Sequence, residues 1–290
     1  NGVLLVPATD YAASTGTSVV LVQGASVDDT LELLVHDIFS VADSVSAKDG
    51  GTFSGTIAAA GYSSTTAGSS NYIAGVNAGN SIQAGATQNT VVGDEAGTAI
   101  TTGDQNTFVG NIAGDALTEG SSNVAMGYFA LSTETHGSNS TAIGRGALAR
   151  QVNGSATNTY NTAVGAQAGV NVTTGIYNTL IGGLAGDAFT DADYNVAVGT
   201  QALSLDTQGS RSVAIGHAVL QSQNFTSATD AYNTAVGFSA GTSATTGVQN
   251  TLIGGLAGDA ITTATDNVAV GHEALTTSIT GGDNVAIGGK

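Results

Sequence analysis

Several residues in this chain have side chains and spacings that could do chemistry. Asp28 and Asp29, and Asp191 and Asp193, bring carboxylates close together in sequence, and two carboxylates about 5 to 9.5 Å apart beside a groove are what glycoside hydrolysis requires. Each pair reads more simply as a solvated turn, so no catalytic residue is assigned and the chain is not expected to be an enzyme. Four histidines occur, His36, His136, His217 and His272, but a zinc site needs three or four converging ligands and no close spacing supplies them. Asp115, Asp187 and Asp259 recur in Gly-Asp-Ala at equal, long intervals. A Ca²⁺ site built from them would need more than one chain to contribute. Tyr160, Tyr177 and Tyr194 follow one another at intervals of 17, and Tyr232 lies further along. Such a row either fills a corner of the fold or offers rings to a sugar. No cofactor or metal ligand is assigned.

The intervals point to the element that positions these residues. The string Asn-Thr/Val-x-aliphatic-Gly occurs twelve times, with its Gly at Gly93, Gly110, Gly127, Gly144, Gly165, Gly182, Gly199, Gly216, Gly237, Gly254, Gly271 and Gly288. The spacings run 17, 17, 17, 21 and repeat, giving a longer period of 72. A fixed period of this kind identifies a solenoid or array before any local assignment. The sequence from Asn178 to Ala188 returns unchanged at Asn250 to Ala260, and a degenerate thirteenth copy begins at Asn71. Numbering positions from the leading Asn, position one is Asn in ten of twelve copies, with Ser140 and Ser212 as exceptions, and position four is always aliphatic. Position three is usually Ala, and position nine runs Gly-Gly-Leu-Leu in register with the longer period.

Regular Gly, β-branched residues and Thr-Thr-Gly corners disfavour helix. The expected fold is all-β: a parallel β-solenoid or β-roll of 17-residue coils in a 72-residue super-repeat. Coils stacked at about 4.8 Å give each backbone group a partner that a lone coil lacks. Asn and Gly at Asn89, Gly93, Asn106, Gly110, Asn161, Gly165, Asn178, Gly182, Asn233, Gly237, Asn250 and Gly254 are the structural positions of the coil. The Asn is expected to form an amide ladder or to supply a left-handed corner. Positions two and four share one strand face and position three the other. The aliphatic face is expected to line the coil interior, so that Ile181→Asp or Ile253→Asp would bury a charge, and the Ala face to make a tight contact with another wall or subunit.

The domain organisation expected is a small β module at 1–45, a Gly/Ser/Thr-rich junction at 46–70 and a repeat shaft at 71–290 that continues beyond it. Within the first module, Val3 to Val6, Ser18 to Val22, Thr30 to His36 and Ile38 to Val41 read as strands. With Asn1 first and Met126 the single Met, the chain is read as an internal fragment. Five basic against 22 acidic residues, a net charge of −17, oppose nucleic-acid binding. No apolar run approaches the 18 or so residues of a membrane span, so no membrane insertion is expected. Without Cys the fold uses no disulfide.

Ser212 to Gly216 (SVAIG), Asn284 to Gly288 (NVAIG) and the NTAVG strings at Asn161 and Asn233 resemble the coils of the β-roll heads of trimeric autotransporter adhesins. They resemble still more the NTAVG arrays of bacteriophage tail-fibre proteins, and the likeness covers 71–290. The segment from Ser46 to Ile57 is similar to the Gly-Gly-Thr-x-x-Gly junction between modules of those fibres. The resemblance implies a parallel homotrimer, intertwined or side by side, located extracellularly in the virion. It implies a structural and adhesive role, with other tail or fibre proteins and a host-surface glycan or protein as partners. An autotransporter-type bacterial adhesin is the alternative. Insertions at Ala149 to Tyr160 and Gln221 to Tyr232, one long period apart, make the 21-residue coils and map to surface loops. Arg150, Tyr160, Tyr177, Tyr194, Phe225 and Tyr232 are the expected receptor contacts.

Overall fold

The computed structural model describes residues 11–12, 20–21, 68–277 and 280–289. Two compact units divide the chain, 1–54 and 55–290. In the first, Tyr11–Ala12 pairs antiparallel with Val20–Leu21, inside the expected strand at Ser18 to Val22. The other strands expected in the first module, and the junction up to residue 67, lie outside the described residues.

The second unit is a parallel β-solenoid. Thirteen three-residue strands, from Tyr72–Ala74 to Val285–Ile287, form one parallel sheet. Neighbours pair in strict register, Thr162 opposite Thr179 and Val164 opposite Ile181. The degenerate copy at Asn71 is a full member, pairing Ile73 with Val91. Each coil contributes one strand and returns through turns. Their backbone groups also bond to neighbouring coils, as in Thr173 N–H to the Thr190 carbonyl at 2.9 Å. No helix occurs among the described residues.

The Gly that closes each strand is required by close stacking. Gly182 has φ +135°, and a Cβ there would stand 2.6 Å from the carbonyl carbon and oxygen of Gly199 in the next coil. That backbone conformation is open essentially to Gly alone.

The interior is the reverse of the sequence expectation. Position three faces inward: Ala125, Ala142, Leu180, Ala197 and Leu252 are fully buried. Position four faces out, with Ile181 39% and Ile253 40% exposed. So short a coil is too thin to hold two β-branched rows and the facing wall. Small Ala at positions three and eight fits that lumen, and the branched residues cover the outside.

The longer period is a packing period. Where position nine is Gly, the core volume comes from positions three and twelve. A Cβ at Gly186 would lie 2.7 Å from the Phe189 ring and 2.8 Å from Leu180. Where position nine is Leu, position three is Ala, and Leu131, Leu148, Leu203 and Leu220 are fully buried while Leu275 in the last complete coil is partly so. Those four Leu adopt φ between 48° and 53°, so burial holds them in a left-handed conformation that branched side chains normally avoid.

Candidate functional site

Position one builds the spine of the solenoid. Asn178 accepts the N–H of Asn195 through Oδ1 at 3.0 Å and donates Nδ2 to the carbonyl of Ala192 at 2.7 Å. One side chain therefore closes its own coil and ties it to the next. Asn89, Asn106, Asn161, Asn233 and Asn250 do the same with their own coils and neighbours. The amide ladder is present, but the left-handed corner belongs to the residue before the Asn, as at Gln88, Gln105, Tyr177 and Gln249.

The Asn row is interrupted at Ser140 and Ser212, and a second amide repairs it. Gln151 donates Nε2 to the Ser140 hydroxyl and accepts Asn161 Nδ2, both at 2.9 Å. Gln223 repeats this with Ser212 and Asn233. Beside each Gln lies a fully buried carboxylate. Glu134 accepts the N–H groups of Thr135, His136, Gly137 and Asn153 and the side-chain amides of Gln151 and Asn153. Asp206, its counterpart one long period on, accepts from Gly209, Phe225 and Gln223. Donors on every side are what allow a carboxylate to be buried without a cation. These four residues had a sequence signal: at position twelve, Ile100 and Leu117 give way to Glu134 and Gln151 in the coils around each insertion.

The two insertions share a conformation, as their common Ser-Ala-Thr predicts. Thr157–Asn158 pairs with Gly137–Ser138 and Thr229–Asp230 with Gly209–Ser210. Thr157 and Thr229 donate to the carbonyls of Ser155 and Ser227. Phe225 is not a surface contact. It is 6% exposed beneath the second insertion, with its ring against Gly209, because an apolar ring there shields the Asp206 network from water. Arg150 is exposed, and no ion pair or ring contact joins it to the tyrosines.

The tyrosine row forms at the left-handed corner. Tyr160 and Tyr177 stack with centroids 5.4 Å apart, and Tyr177 and Tyr194 at 5.0 Å with rings 4° from parallel. The next coil places Arg211 in the same column, its guanidinium 4.8 Å from the Tyr194 centroid and 6.0 Å from that of Tyr232. Asp230 pairs with Arg211 at 2.9 Å, and this hydrogen bond and charge hold the guanidinium more firmly protonated. Tyr232 donates its hydroxyl to Asp230 at 3.4 Å. Arg211 was missed because the sequence reading followed the Tyr residues and not their column.

The remaining candidates do not assemble into a site. His217 stacks on Phe238 at 5.3 Å, and no group of three or more His, Cys, Asp or Glu gathers among the described residues. Asp115, Asp187 and Asp259 each keep one buried carboxylate oxygen without a hydrogen-bond partner. Burial pushes Asp115 up to about 6, opposed by its own N–H and reinforced by the charge of Glu95. Asp187 is raised by burial in the same way. Compared with known protein families, curated proteins and solved structures, the chain matches none of them.

Proposed function

We propose that this chain is a shaft segment of a bacteriophage tail fibre, in which three parallel copies stand side by side and carry host-surface recognition away from the particle. The observation that supports this most is the outer face of the sheet. Thr or Val at position two and Val, Ile or Met at position four leave aliphatic groups partly or largely exposed along twelve successive strands, about 55 Å of shaft. Scattered apolar residues are ordinary on a monomer, whereas a continuous strip asks for a cover. Copies of the same strip facing one another in parallel supply it, and closed symmetry keeps the assembly from growing sideways. The number three comes from the likeness of SVAIG and NTAVG to the trimeric arrays. This corrects the interface expected from the Ala rows, which are inside the coil.

The role is mechanical and multivalent. The continuous backbone ladder and the Asn spine resist bending, and three chains present each insertion three times, so weak contacts to a host glycan or protein add through effective concentration. A net charge of −17 repels anionic envelopes and limits non-specific adhesion. Antibodies against the chain, viewed by electron microscopy, should label the tail fibres of a phage particle and block its adsorption. Label confined to a bacterial outer surface would replace the fibre with an autotransporter-type adhesin.

A further inference from the structure

We propose that the Tyr160–Tyr177–Tyr194–Arg211–Tyr232 column is a binding ladder for a linear, neutral polysaccharide lying along the shaft axis. The inference rests on the reading of the chain as a recognition-bearing fibre and adds the ligand class, the residues and the direction of binding. Four observations carry it.

The column occupies a corner where the chain needs only a residue tolerant of positive φ. Gln88, Gln105, Gln249 and Asp266 serve there in other coils, and Gln88 and Gln105 are joined by their side chains at 3.1 Å. A bulky ring at φ 48° to 59° is disfavoured relative to these. The rings gain little burial in exchange, since Tyr160, Tyr177, Tyr194 and Tyr232 stay 42% to 53% exposed. A strained residue whose ring stays half in water points to function more than to packing.

The rungs are confined to five successive coils, from the base of one insertion to the base of the next, a span of roughly 20 Å. Their spacing, 5.0 to 5.4 Å between ring centroids, is about the advance of one pyranose unit in an extended chain. An extended peptide, which advances about 3.3 Å per residue, does not keep this register.

Stacking decides which part of each ring is available. Tyr177 has a ring on both faces, and Tyr194 has Tyr177 on one face and Arg211 on the other. Sugar stacking on those faces is closed, so the ligand meets the ring edges and hydroxyls. Among the described residues no hydrogen bond within the chain engages the hydroxyls of Tyr160, Tyr177 or Tyr194. Stacking also fixes the rotamers in advance, which lowers the ordering cost of binding.

Charge sets the ligand class. Asp230 already neutralises Arg211 at 2.9 Å, and the chain carries −17 overall, so a polyanionic glycan is repelled while a neutral one is not.

The test is binding of the full chain to an array of immobilised glucans, mannans and galactans, linear and branched, neutral and anionic, of increasing length. Binding should be confined to linear neutral chains and should strengthen until an oligomer spans the five rungs. Tyr177→Gln with Tyr194→Gln, which installs the residue that other coils carry at this corner, should weaken it about tenfold or more while leaving melting and sedimentation unchanged. Binding that survives the double substitution, binding to anionic chains in preference, or no binding to any linear neutral chain would overturn the ladder. If the wild-type protein sediments as a trimer but binds none of these chains, the ladder falls and the shaft stands. A monomer that still binds through Tyr177 and Tyr194 would overturn the shaft and leave the ladder.

Discussion

Asn178 shows how one side chain specifies a coil. Its carbonyl oxygen and its amide both reach backbone groups that are otherwise buried, in two different coils. Asn178→Ala leaves the N–H of Asn195 and the carbonyl of Ala192 without those partners, and chemical denaturation should show a loss of about 3 kcal/mol. The repeating Asn was legible in the sequence; its two partners were not, because one lies across its own coil and the other in the next, and both depend on which residue takes the left-handed corner. Asp115 gives the opposite case, a group whose burial opposes folding. Its folded pKa, about 6, stands above the ordinary 3.8, so the stabilisation from holding the proton is complete below pH 3.8 and lost as pH rises through 6. Asp115→Asn should therefore stabilise the fold at pH 7, by roughly 1 kcal/mol once its partial exposure is discounted, and should make no difference below about pH 4, as melting at the two pH values will show. A gain that persists unchanged in acid would show that the carboxyl titrates normally.

At the scale of the element, the 21-residue coil extends the solenoid without breaking its spine. Gln151 bridges Ser140 to Asn161 and supports Glu134, so the insertion brings its own replacement for the missing Asn. Gln151→Leu keeps the volume but takes one buried partner each from Glu134, Ser140 and Asn161, and should cost about 2 to 4 kcal/mol by calorimetry. Adding Glu134→Leu should deepen that loss, since it also leaves the N–H groups of Thr135, His136, Gly137 and Asn153 without their acceptor. The strand positions and coil length were readable from the period alone, because a residue repeated every 17 positions must stack. Which strand face turns inward was misread from composition. The internal copies held the answer: large Phe108, Leu180 and Leu252 at position three coincide with Gly at position nine, and Ala at position three with Leu131, Leu148, Leu203 and Leu220 in two successive coils of each period. Two positions that exchange volume must share one core.

For the whole molecule, that inversion moves the proposed contact between chains from the Ala rows to the aliphatic strip. Ile181 and Ile253, 39% and 40% exposed in the single chain, become the test residues. Ile181→Asp with Ile253→Asp should leave the coil itself folded, with unchanged circular dichroism, and should prevent association by placing unpaired charges in a buried face. The number of chains is an expectation that rests on the resemblance of short strings alone, since no spacing within one chain encodes a partner. Equilibrium sedimentation of the full chain at micromolar concentration tests the account most directly. Three chains per particle, reduced to one by the paired Ile→Asp substitutions, is the result it predicts; a wild-type monomer, or a trimer indifferent to those substitutions, would contradict it.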